Sequence, residues 1–278
     1  MQALFFKLTV FIYIMASAGF IVYTIKQDKH LFNIALGFLV LAFLFHSIFI
    51  AYGCYLLGTV PVLDFRSSVS FFSWSIVLVY LIFFIKFRLM ILGAFVSPFC
   101  TFLMLISSLF PMTKGPVKPI FKTIWLALHV GTIFIGNALF AIAFLASIMY
   151  LLQEHCIKSK KFSFFYKRLP SLVTLDNINH YSLIYGFPFL TLGIITGAMY
   201  AQIAFGKYWQ WDPKEVWSLV TWIFYAILIH ERLAVGWKGR RAAIMAIVCF
   251  VILGLSFIGT SLWIGGYHNL NTLGVIGS

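Results

Sequence analysis

The 278 residues are too apolar for a water-soluble domain, since 62% are hydrophobic, only 10% are charged and the mean hydropathy is +1.00. This composition is typical of a polytopic membrane protein. The net charge of +13 is not expected to mark nucleic-acid binding, because basic residues collect in cytoplasmic loops of membrane proteins. The four cysteines form no Cys-x-x-Cys pair, which argues against zinc binding and thiol redox chemistry.

Eight apolar runs follow one another along the chain, each about long enough to cross a bilayer as a helix. They predict an all-α membrane protein, a polytopic bundle of about eight transmembrane helices. Residues 1–122 are expected to form an N-terminal four-helix region, and residues 123–278 a second region of the same integral membrane domain. The predicted spans are 4–25, 31–56, 69–86, 89–110, 123–152, 181–204, 216–233 and 242–263.

Lysine and arginine are unevenly divided between the two sides that this topology defines. Of the 20 in the chain, 13 follow spans 1, 3, 5 and 7, and 7 lie on the opposite side. Because cytoplasmic loops carry the excess of basic residues, the side with 13 is predicted to be cytoplasmic. Both termini and the loop between spans 6 and 7 are then expected to lie outside.

The loop between spans 6 and 7 holds the densest cluster of tryptophan. Asp212, Pro213 and Glu215 occupy the positions of a helix N-cap, a first helical residue and the acidic member of a capping box, so they predict where helix 7 begins. Interfacial tryptophans are common membrane anchors, but anchoring requires fewer than this loop contains. We therefore interpret the segment as a platform for a ligand. The predicted platform residues are Tyr208, Trp209, Trp211, Asp212 and Trp217.

Histidines at the ends of two spans are expected on the same side as this loop. His129 lies at the start of span 5, and His268 follows span 8. A neutral imidazole is a common metal ligand, so we interpret this pair as the axial ligands of one iron in a flat macrocycle. His230 lies about 25 Å deeper along helix 7, where it is either a functional site or a polar anchor of the helix end. His46, inside span 2, is a further buried candidate without an assigned role.

The segment 208–222 resembles the tryptophan-rich WWD signature of proteins that handle haem in cytochrome c maturation. Its Asp-Pro-Lys-Glu sequence, followed by Val-Trp and later Thr-Trp, is similar to the system II family called CcsA or ResC. The start of span 5 at 128–130, its end at 151–154, and the Tyr-His-Asn sequence at 267–269 also resemble this family. The similarity extends over nearly the whole chain and is most specific from about residue 123 to residue 270.

The resemblance implies a role in cytochrome c maturation, with haem b as the group that is moved across the membrane. It implies that His129 and His268 hold the iron outside beside the WWD loop, and that His230 receives haem near the cytoplasmic side. A separate ResB/CcsB-like membrane protein would supply the second intramembrane ligand. The haem would be attached to the Cys-x-x-Cys-His motif of apocytochrome c. The chain would then be part of a system II cytochrome c synthase, with no catalytic residue assigned.

Other functions remain compatible with the residues alone. A haem exporter or chaperone would use the same ligands without attaching haem, a b-type electron-transfer subunit would use histidine pairs inside the bilayer, and a purely structural subunit would bind no haem. The expected location is the bacterial inner (plasma) membrane with the WWD loop on the periplasmic side, and the thylakoid membrane is the alternative. Four cations on the outer side could neutralise haem propionates. They are Arg66, Lys122, Lys207 and Lys214.

Overall fold

The computed structural model describes residues 2–111, 119–160 and 166–262. Within these residues the chain is helical and contains no strand, and eight helices are long and apolar enough to cross a membrane. The predicted all-α polytopic bundle is therefore confirmed. The helices are α1 Gln2–Lys26, α2 Lys29–Leu57, α3 Phe65–Phe87, α4 Gly93–Ser108, α5 Ile124–Lys158, α6 Leu172–Phe205, α7 Pro213–Leu233 and α8 Arg240–Leu262.

Helices α5 and α6 are longer than their apolar runs. With 35 and 34 residues they extend about 50 Å, which exceeds the hydrocarbon thickness of about 30 Å. Helix α6 begins nine residues before the predicted span, after Ser171, whose hydroxyl accepts a hydrogen bond from the backbone N–H of Thr174 at 3.2 Å. Its first turns carry the polar residues Asp176, Asn179 and His180. Hydropathy alone misses such a start, because these side chains are satisfied by partners elsewhere in the fold.

The helices pack in two groups. Helix α1 contacts α2 and α4, and α3 contacts α4, while α5 contacts α6 and α8, and α7 contacts α6 and α8. Packing of α3 against α5 joins the groups. The domain boundary predicted after residue 122 falls between them and stays a prediction.

The α5–α6 pair approaches closely at a glycine. A Cβ atom at Gly136 would lie 2.9 Å from the backbone nitrogen of Leu190 and 3.1 Å from the carbonyl oxygen of Gly186. Small residues let membrane helices come this near to each other. One turn further along α5, the ring of Phe140 stacks on Tyr225 of α7, with centroids 3.6 Å apart and planes within 8°. This stack joins α5 to α7 in the middle of the bundle.

Alternation of the helices places three connections and the end of α8 at one end of the bundle. This end, which we call the tryptophan-loop end, contains residues 58–64, the 3₁₀ turn Pro119–Phe121, residues 206–212 and the last turn of α8. The opposite end contains the α1–α2, α3–α4 and α7–α8 connections. The assignment of the tryptophan-loop end to the outer side of the membrane stays a prediction from the distribution of basic residues.

Candidate functional site

A cavity of about 450 Å³ lies among the helices at the tryptophan-loop end. Helices α5, α6, α7 and α8 form most of its wall, together with residues 62–64 before α3. This size is typical of small-molecule and cofactor sites, which are mostly apolar with a few placed polar groups. The structure thus brings helix α5 and the tryptophan loop to one cavity. The residues in its wall include His129, Tyr208, Trp209, Lys214, Glu215 and Trp217.

His129 is half-buried in the cavity wall, in the second turn of α5. Its Nδ1 lies 2.8 Å from the carbonyl oxygen of Gly193 on α6. Because a carbonyl oxygen can only accept, Nδ1 carries the proton and the lone pair is on Nε2, the form in which an imidazole binds a metal. A Cβ atom at Gly197 would lie 2.7 Å from both Cε1 and Nδ1 of the ring. A glycine at this position therefore makes room for the imidazole.

Helix α7 begins where the sequence predicts. The Asp212 carboxylate accepts a hydrogen bond from the backbone N–H of Lys214 at 2.9 Å, and Pro213 is the first helical residue. The Glu215 carboxylate accepts from the backbone N–H groups of Asp212 at 3.3 Å and Gln210 at 2.7 Å. The predicted capping box is thus confirmed. It ties the loop to the first turn of α7, and so fixes where the loop tryptophans stand.

The two loop tryptophans differ in their surroundings. Trp209 is half-buried and lines the cavity, whereas Trp211 is 78% exposed and is not among the lining residues. The backbone φ of Trp211 is +58°, a left-handed conformation that bulky residues rarely adopt. This turn places Asp212 at the start of α7, where it is buried as the cap. Of the other predicted platform residues, Tyr208 and Trp217 line the cavity.

Four polar atoms in the cavity wall are buried and have no hydrogen-bond partner in the part of the chain that the structure describes. They are Nε1 of Trp209, the hydroxyl oxygens of Tyr200 and Thr221, and the amide oxygen of Asn137. Buried polar groups are nearly always hydrogen-bonded, and leaving one unsatisfied costs about 1–3 kcal/mol. The wall is therefore suited to a ligand with polar atoms. Sequence reasoning missed three of these residues, although an amide inside an apolar span, as at Asn137, is a recognisable signal.

The remaining predicted histidines lie apart from the cavity. His268 lies outside the described residues. His230 is exposed in the last turns of α7, at the opposite end of the bundle. His46 is fully buried, with Nδ1 3.2 Å from the hydroxyl of Tyr13 and Nε2 2.9 Å from the hydroxyl of Ser70. Both ring nitrogens of His46 are thus engaged by protein side chains, as in a structural core histidine.

A buried ion pair near His230 was not predicted from the sequence. The Arg232 side chain is 3% exposed and lies 3.1 Å from the Asp176 carboxylate. It also donates to the side-chain oxygen of Asn179 at 3.0 Å, while the backbone N–H of Gly239 donates to Asp176 at 2.9 Å. These bonds join α6, α7 and the connection to α8. They hold the last turn of α7 against α6 with His230 exposed.

Comparison with known proteins gives consistent matches along the chain. A family model described as "Cytochrome C assembly protein" matches residues 40–268. The cytochrome c biogenesis protein CcsA of Guillardia theta is 32% identical over 267 residues, which cover 89% of this chain and 89% of that protein. The CcsA of Chlamydomonas reinhardtii is 35% identical over 222 residues, which cover 76% of this chain and 61% of that protein.

The fold also matches a solved structure, that of a cytochrome c heme lyase, CcmF. The TM-score is 0.64 at 14% identity, and the match covers 99% of this chain and 50% of that chain. At this identity the likeness concerns the fold alone. The family match spans more than half of the chain and includes the helix that carries His129, the tryptophan loop and α8. The chain therefore belongs to the cytochrome c assembly protein family, and resembles its CcsA members over most of its length.

Proposed function

We propose that this chain handles haem b in cytochrome c maturation, holding it in the cavity and presenting it to apocytochrome c. The observation that carries the proposal is that His129, with its proton fixed on Nδ1, shares a largely apolar cavity of about 450 Å³ with Trp209. An imidazole beside an aromatic wall suits an iron macrocycle. In this proposal His268 supplies the other axial ligand.

His230 is proposed as the first haem ligand, near the cytoplasmic side. Its imidazole is exposed on α7, about 25 Å along the helix from Pro213. Because it faces away from the bundle, a second ligand has to come from another polypeptide, which we propose is a ResB/CcsB-like membrane protein. The stacked rings of Phe140 and Tyr225 fill the interior between the two ends. We therefore propose that haem moves along the exposed face of α7 rather than through the bundle.

The attachment itself is proposed to depend on positioning. Each cysteine of the Cys-x-x-Cys-His motif adds its S–H across a vinyl double bond of haem, so a thioether forms and no leaving group is released. Holding the macrocycle still beside an incoming thiol converts an encounter between two molecules into a reaction within one complex. His129 would keep the iron ligated until the histidine of the apocytochrome motif replaces one axial ligand.

The proposed location is the bacterial inner membrane, with the tryptophan loop on the periplasmic side, and the thylakoid membrane is the alternative. Eight candidate spans and the CcsA relatives support an integral membrane protein. An electron-transfer subunit with fixed haem is less well supported, because it would need a histidine pair inside the bilayer, and His46 is engaged by Tyr13 and Ser70.

The visible absorption spectrum of the purified protein with its ResB/CcsB-like partner tests this function. Wild type is expected to give a reduced b-type spectrum, which His129→Ala with His268→Ala weakens or alters. The same double variant is expected to lose cytochrome c assembly, with partial recovery when imidazole is supplied. Equal haem in folded wild type and variant would contradict the outer site. Normal cytochrome c assembly after deletion of the gene would favour a haem exporter without an attachment role.

A further inference from the structure

The cavity wall contains polar groups that would bind neither the iron nor the apolar face of the macrocycle. Tyr200 and Thr221 are only 5% and 3% exposed, and their hydroxyl groups have no partner among the described residues. The indole N–H of Trp209 is also buried and also has no hydrogen-bond partner among the described residues. Both hydroxyls and the indole N–H can donate hydrogen bonds. A ligand that fills this cavity therefore meets three donors that are ready for an acceptor.

A cation lies in the same wall. Lys214 stands in the first turn of α7, one turn before Ser218 and two before Thr221, and all three line the cavity. Within the described residues Lys214 forms no ion pair within 4.0 Å, although the carboxylate of Asp212, two residues before it, interacts with its charge. The wall also carries the carboxylates of Asp64 and Glu215. Each of these accepts backbone N–H donors at a helix start, from Ser67 to Asp64 and from Gln210 to Glu215.

The other cations considered as partners of a ligand carboxylate are placed elsewhere. Arg66 lies over the ring of Phe6 at 4.2 Å and donates to the carbonyl oxygen of Phe110 at 3.3 Å. Lys122 and Lys207 are exposed, and neither is among the residues that line the cavity. Of the four cations named from the sequence as possible partners of a propionate, Lys214 is therefore the one that lines the cavity.

We propose that Lys214, with the hydroxyl of Tyr200 and the indole N–H of Trp209, binds a carboxylate of the molecule that the cavity holds. Charge-assisted hydrogen bonds of this kind are about twice as strong as neutral ones. The assignment rests on the proposed function, under which the carboxylate is a propionate of haem. Binding of the propionate edge at α7 directs the vinyl edge of the macrocycle away from Lys214, and so selects which edge meets the apocytochrome thiols.

A comparison of haem with haem dimethyl ester tests the assignment, because esterification removes the negative charges and keeps the macrocycle. The purified full-length protein is titrated with each compound and followed by absorbance. Wild type is expected to bind the free acid about tenfold more tightly than the ester. Lys214→Met is expected to lose most of this preference, because the charge is removed, and Tyr200→Phe to lose a smaller part of it. Lys207→Met changes an exposed lysine of the neighbouring tryptophan loop; it is the matched control and is expected to keep the wild-type ratio.

The outcomes separate the two proposals. Equal binding of acid and ester by wild type, or an unchanged preference in Lys214→Met, would overturn the carboxylate site while His129-dependent haem binding still stands. Absence of binding of both compounds to folded wild type would overturn the haem function and the carboxylate site with it. Because the ester partitions more strongly into detergent in every titration, each variant's acid-to-ester ratio is compared with the wild-type ratio, and this comparison cancels the partition.

Discussion

The Nδ1 atom of His129 lies 2.8 Å from the carbonyl oxygen of Gly193, across the α5–α6 contact. This bond fixes both the orientation of the ring and the nitrogen that carries its proton. Four residues further along α6, Gly197 leaves the space that the ring fills. The orientation of the His129 imidazole therefore depends on α6 as much as on its own helix.

Replacement of Gly197 by alanine tests this dependence. A Cβ atom there would come within 2.7 Å of the His129 ring, so the ring has to shift and its bond to Gly193 should weaken. We expect Gly197→Ala to lower haem retention about tenfold, a size typical of the loss of groups that orient a metal ligand. Gly131→Ala is the control, because its Cβ would meet nothing within 4 Å. Similar haem retention in both variants would contradict the prediction.

The tryptophans of the loop are predicted to differ in function. Trp209 lines the cavity and Trp211 does not, so Trp209→Ala should reduce haem retention in the purified protein and Trp211→Ala should leave it close to wild type. Haem content per folded protein, measured from the absorption spectrum, is the readout. Equal losses in the two variants would mean that the exposed indole of Trp211 also contacts haem.

His46 is predicted to serve the fold rather than haem. Its imidazole bridges Tyr13 and Ser70 in the buried core, and removal of one buried partner costs about 1–3 kcal/mol. His46→Ala should therefore lower the free energy of unfolding in detergent by about this amount and leave haem binding per folded protein unchanged. Loss of haem with unchanged stability would show that His46 takes part in ligation.

Removal of one partner of the Arg232–Asp176 pair is predicted to destabilise the end of the bundle opposite the tryptophan loop. Arg232→Met leaves the Asp176 carboxylate without its cation and, among the described residues, with only the backbone N–H of Gly239 as a donor, and breaking a buried pair in this way costs about 3–5 kcal/mol. The double variant with Asp176→Asn should recover part of this loss. Measuring the free energy of unfolding of wild type, both single variants and the double variant would show this recovery. Lys158→Met is the control, because its bond to Glu154 at 2.7 Å is exposed and such pairs contribute about 0–1 kcal/mol. Equal effects at both sites would contradict the prediction.

The number of helices and the start of α7 could be predicted because their causes are local. A run of about 20 apolar residues suffices to indicate a span, and the cap at Asp212 needs only the residues around it. The start of α6 could not be predicted in this way. Its polar first turns include Asp176, which pairs with Arg232, 56 residues away. Hydropathy averaged over neighbouring residues cannot include that contact.

The sequence by itself determined the membrane class, the eight spans and the candidate haem residues, because hydropathy and motif chemistry are carried by neighbouring residues. Only the tertiary structure decided which candidates share a cavity. It placed Trp209 in the wall and Trp211 outside it, set Gly197 against His129, and brought Lys214 into the same wall. These contacts depend on how α5, α6 and α7 pack. They join residues that lie far apart in the chain, so the periodicity of the sequence does not predict them.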